Sequence, residues 1–60
     1  MDTNWAKKQM KKGKKVRRDW WESNEYIYFD GDTCLDNDGW IYHYEFAEYE
    51  GAEDWELYKD

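Results

Sequence analysis

Sixty residues carrying fifteen acidic and nine basic side chains, a formal charge of −6 and thirteen aromatics describe one small acidic domain, residues 1–60. A single cysteine, Cys34, excludes an intrachain disulfide, and Cys34 with His43 is too small a ligand set for zinc. No long apolar run predicts a transmembrane helix, and the basic start is not followed by the apolar stretch of a signal peptide.

A chain this short buries only about 60% of its unfolded surface, so something must supplement its core. With disulfides and zinc excluded, aromatic packing and homo-oligomerisation remain. Each buried ring contributes about 1.5–3 kcal/mol from area alone. A free thiol suits a reducing, cytoplasmic setting.

In chain order, Asp2, Thr3 or Asn4 can cap a helix. The stretch "NWAKKQMKKG" sets Trp5, Ala6, Gln9 and Met10 along one side and Lys7, Lys8, Lys11 and Lys12 elsewhere. Gly13 suits the residue just past the helix end. "KKVRR" is a short extended segment in which Lys15 and Arg17 share one face and Arg18 takes the other. "EYIYFDG" predicts a strand running into a glycine turn. "DNDGWIYHYEF" predicts a turn at Asp36–Gly39 followed by a strand over Trp40–Phe46, where Trp40, Tyr42, Tyr44 and Phe46 alternate with Ile41, His43 and Glu45. "WELYK" alternates again, with Trp55 and Leu57 on one face. The fold class is α+β: one N-terminal amphipathic helix packed on an antiparallel sheet of three to four strands.

Charge is segregated. Residues 1–18 hold eight Lys/Arg and one Asp, while residues 19–60 hold one Lys and fourteen Asp/Glu. One consequence is attraction between the two halves of the chain. Another is a phosphate-binding cluster: Lys15, Arg17 and Arg18 lead into Trp20 and Trp21, and guanidinium forks beside an indole suit a nucleotide. A third is an acidic surface of Asp36, Asp38, Glu45, Glu48 and Glu50 that imitates nucleic acid and docks on a protein partner. Direct DNA binding is not expected of so acidic a chain.

"CLDNDGWIYHYE" matches a calcium-binding loop from its third position onward. Cys34, however, occupies the first position, where a hard cation needs a carboxylate. A hairpin turn built on Asp-Gly explains the same residues. His43 has no nucleophile partner, and there is no phosphate-cradling glycine loop. The chain therefore reads as a non-enzyme without a cofactor or metal.

The segments "KKQMKKGKKVRRDWW", "YIYFDGD" and "AEDWELYKD" together resemble the Thoeris anti-defence "sponge" family of small phage and prophage proteins. The match lies in Gly13, Lys15, Val16, Arg17, Arg18 and Trp21, and again in Ala52, Asp54, Trp55, Glu56 and Leu57. The resemblance implies a self-assembling α+β subunit that sequesters a cyclic ADP-ribose-type signalling nucleotide in the host bacterial cytoplasm, without catalysis. It implies pocket roles for Arg17, Arg18 and Trp21, supported by Asp54 and Trp55. Some relatives are described as anti-CRISPR proteins, which bind a host defence protein instead. The middle segment departs from the family pattern. Only Gly39-Trp40-Ile41 matches there, and "YHYEFAEYEG" supplies acidic aromatic residues in place of the rest.

Overall fold

In the computed structural model, which describes residues 1–59, Asp2 starts the first helix by accepting a hydrogen bond from the Trp5 N–H at 2.8 Å. Helix α1 runs Thr3–Lys11, buries Ala6 and Met10, and keeps Lys8 and Lys11 in its last turn, where cations suit the negative end of the helix dipole. Gly13 closes it with φ +84, a left-handed conformation that a side chain would strain. The N–H of Gly13 donates to Met10 O, and that of Lys14 donates to Gln9 O. These two bonds satisfy carbonyls that the helix end leaves open.

Four short strands form one antiparallel sheet: β1 Val16–Arg18, β2 Ile27–Asp30, β3 Thr33–Asp36 and β4 Trp55–Leu57, in the order β3-β2-β1-β4. The β2–β3 hairpin turns on two residues, Gly31 and Asp32, with Asp30 opposite Thr33. Gly31, at φ +62, takes the first loop position, where a tight primed turn needs a positive φ. In β1, Val16 pairs with Ile27 on one side and Leu57 on the other.

Helix α1 covers one face of the sheet. Ala6, Met10, Val16, Ile27, Cys34, Ala47, Ala52 and Trp55 form the core, and Leu57 packs against it beside Trp55, as alternation along "WELYK" requires. The Trp55 Nε1–H donates to Thr3 Oγ1 at 2.9 Å, so the indole is buried with its polar atom satisfied. No helix among the described residues is long and apolar enough to cross a membrane.

The strand expected over Trp40–Phe46 does not form. The chain instead makes a single bridge, Leu35 to Ile41, and then a five-residue helix, α2, over Glu45–Tyr49. Trp40 O accepts from Asp36 N and Tyr42 N donates to Cys34 O, so residues 40–42 cover the β3 edge and stop there. Helix α2 places Ala47 in the core. The turn at Asp36–Gly39 is present, with Asp36 Oδ1 accepting from the N–H groups of Asp38 and Trp40.

Cys34 points into the core, its Sγ 3.9 Å from the Met10 sulfur. Burial, reinforced by the carboxylates of Glu45 and Asp36, pushes its thiol up to about 12. At pH 8 the thiolate fraction is then roughly 10³-fold below that of free cysteine. Alkylation by iodoacetamide is expected to be slower by about that factor in the folded protein than in urea, as mass spectrometry over time would show.

Candidate functional site

Of the six pocket candidates, Arg18, Asp54, Trp55 and Trp21 contact one another, and Arg17 joins them only through the Trp21 carbonyl. Strand β1 turns Arg17 and Arg18 to opposite faces. Arg17 reaches across to Glu56 on β4 and also donates to the backbone carbonyls of Trp21 and Glu22. Its Nε is buried without a partner. Arg18 forms a two-point pair with Asp54, through Nε and through Nη2 at 3.1 Å, and its guanidinium lies 5.4 Å from the Trp20 ring and 5.3 Å from the Trp55 ring. Hydrogen bonding from Arg18 holds the Asp54 carboxyl below its ordinary range.

Trp21 is half-buried. It meets Trp55 edge-on at 5.7 Å and Tyr42 edge-on at 5.5 Å, with Trp20 at 6.3 Å. Such T-shaped contacts stabilise an aromatic cluster, and they engage the ring that a stacked base would need. Burial raises the Tyr42 phenol above its usual value.

Lys15 stands apart, on the sheet face away from α1. Its ammonium sits 4.5 Å from the Tyr26 ring centre and 6.0 Å from that of Tyr58, a cation–π arrangement that restrains it. Tyr26 and Tyr58 are themselves 4.6 Å apart.

Of the acidic candidates, Asp36 and Asp38 share a cleft with Trp21, and Glu45, Glu48 and Glu50 lie on and just after α2. Asp36 and Asp38 flank the turn after β3. Glu45 and Glu48 occupy the first turn of α2 and Glu50 ends it, with no basic residue in the helix. Exposed apolar side chains sit among them: Trp40, Ile41, Phe46 and Tyr49 are 73%, 64%, 64% and 89% exposed. These four large apolar groups come from one ten-residue stretch and are interleaved with carboxylates along the sequence.

Beside the turn opens a cleft of about 790 Å³, where Asp36 and Asp38 face Glu22 and Glu25 between walls of Trp20, Trp21, Tyr26 and Tyr42. Sequence reasoning missed Glu22, Glu25 and Tyr42 as its neighbours. The signal available was the acidic run after the tryptophans in "DWWESNE"; Tyr26 N donating to Asn37 Oδ1 at 3.4 Å connects that run to the turn. No protein-family model, curated protein or solved structure matches the chain.

Proposed function

We propose that this protein is a non-enzymatic binding protein whose acidic, aromatic face occupies a basic surface of a protein partner, with carboxylates standing where nucleic-acid phosphates would. One observation carries the reading. Both guanidinium groups of the chain end on its own carboxylates, Arg17 on Glu56 and Arg18 on Asp54, while Asp38, Glu45, Glu48 and Glu50 are exposed among exposed aromatics. Opposite charge steers such a partner in and sets its orientation, and the aromatic side chains supply desolvated anchors.

A host defence protein that handles nucleic acid fits this chemistry. The second reading, sequestration of a cyclic ADP-ribose-type nucleotide, draws on Arg17, which lines a groove with Trp5 and Trp55. To serve it, Arg17 must exchange Glu56 for phosphate.

The test is a panel of nucleic-acid-binding host proteins and cyclic nucleotides, titrated against the parent protein. A protein partner displaced by duplex DNA and weakened by salt is expected. The double replacements Asp36→Lys/Asp38→Lys and Glu45→Lys/Glu48→Lys should each lower affinity tenfold or more, and Lys15→Glu should leave it unchanged. Retention of a cyclic nucleotide with no DNA-displaceable partner would overturn the reading.

A further inference from the structure

Six lysines fall between Lys7 and Lys15, and no carboxylate lies between Asp2 and Asp19. Lys15 is turned to the far face of the sheet, over Tyr26. The other five, Lys7, Lys8, Lys11, Lys12 and Lys14, lie on α1 and the turn that ends it, and all but Lys7 are exposed. Among the described residues, the two ion pairs are made by Arg17 and Arg18, and none by a lysine.

This crowding works against the fold. Lys7 and Lys11, like Lys8 and Lys12, are equal charges four residues apart on one helix, and such pairs repel. Attraction of Lys8 and Lys11 to the helix dipole offsets part of the repulsion. One acidic residue among them would have relieved the rest, and the chain has fifteen. Only Asp32 comes near, in a groove beside Lys7 and Lys11. Local conflicts that the fold does not need are found where a protein works.

We propose that this lysine row binds the phosphate backbone of double-stranded nucleic acid, without regard to sequence. The side chains around the row select that occupant. Protein interfaces are depleted in lysine and anchored by aromatic side chains. A membrane-surface helix presents an apolar face, and a single strand stacks its bases on rings. The apolar side chains Ala6 and Met10 of α1 are buried, and Trp5 is half-buried, so the row offers charge without anchors. Side chains three and four apart on a helix stand about 5–6 Å from one another, close to the interval between successive phosphates. Lysine is a compact point charge that holds a phosphate and reads no base.

The net charge of −6 opposes such a contact at long range, but the position of the charges favours it at short range. The carboxylates at the start of α1 are Asp2, Glu48 and Glu53. Lys11 lies about 13 Å along the helix axis from Asp2, beyond the ~8 Å over which exposed charges act at physiological salt. The row uses no residue of the acidic face, and its test contains no protein partner. It therefore stands or falls apart from the function proposed above.

A fluorescent duplex of about 20 base pairs, titrated with the parent protein, is expected to bind with log K falling linearly in log salt. The slope is about −0.9 for each phosphate neutralised, and so at most about −4.5 for five. Lys8→Gln/Lys11→Gln/Lys12→Gln, with unchanged circular dichroism, should bind at least tenfold more weakly, with the slope flatter by about 2–3. Lys8→Arg/Lys11→Arg/Lys12→Arg keeps the charge and should bind as the parent does. Asp32→Asn should bind more tightly, which lysines serving stability alone would not produce. No binding by the parent at about 100 µM protein and 50 mM salt overturns the proposal. So does a triple-glutamine variant that binds like the parent, or a parent that prefers phosphatidylglycerol vesicles or polyglutamate to the duplex.

Discussion

Trp55→Ala is expected to leave most of the chain unfolded at 25 °C. The indole is 2% exposed and is the largest fully buried side chain. It meets Trp21 edge-on, lies against the Arg18 guanidinium and holds α1 through Thr3. Truncating a buried tryptophan costs about 3–5 kcal/mol. A 60-residue domain has only about 3–9 kcal/mol in total, at 0.05–0.15 kcal/mol per residue. The loss therefore matches much or all of the stability, and relaxation of the few remaining large core side chains, Met10, Val16 and Ile27, fills only part of the space an indole leaves. Urea titration by circular dichroism should show no native baseline for this variant. Trp55→Phe should retain a cooperative transition at lower urea, having lost the Thr3 hydrogen bond and part of the ring.

Asp54→Asn is expected to cost about 2–3 kcal/mol at pH 7, the range for a charged hydrogen-bonded pair with one side still partly wet. The Arg18 side chain is 11% exposed and that of Asp54 28%, so the substitution strands a nearly buried guanidinium. The effect depends on pH. Because Arg18 lowers the Asp54 pKa from its ordinary 3.8, the unfolded chain takes up this proton first as pH falls. The stabilisation is complete above the unfolded value and disappears as pH drops through the folded one. The difference in urea midpoint between parent and Asp54→Asn should thus be constant from pH 7 to about 5 and shrink below 3.8. A difference that persists undiminished at pH 2 would show that Asp54 acts through shape and not through charge.

Residues with a strong local signal were legible in the sequence. Asp2 and Gly13 bracket α1 because a cap and a left-handed glycine act within a few residues. Trp55 and Leu57 share a face because alternation is a local property of strands. The segment 40–46 misleads for the same reason. Its aromatics alternate, but a helix of five residues shows too little periodicity to compete, and the decisive fact is that Ala47 is drawn into the core. Strand β3 offers only Cys34 and Leu35 as apolar residues and is fixed by its hairpin partner β2. The attraction between basic and acidic halves is visible in the charge pattern. The individual pairs are not, because Arg17 and Glu56 are separated by 39 positions and Arg18 and Asp54 by 36.

Those separations give the molecule a history. The β2–β3 hairpin closes over two residues, a step available early, whereas β4 joins β1 only after most of the chain lies between them. Contacts of long sequence separation form slowly. Seven carboxylates between Asp19 and Asp38 already balance the charge of residues 1–18 along the sequence, but Arg17 and Arg18 meet their own partners, Glu56 and Asp54, only when the final strand docks. Until then both guanidinium groups are open to other anions, so closing the sheet and occupying its two arginines are one event.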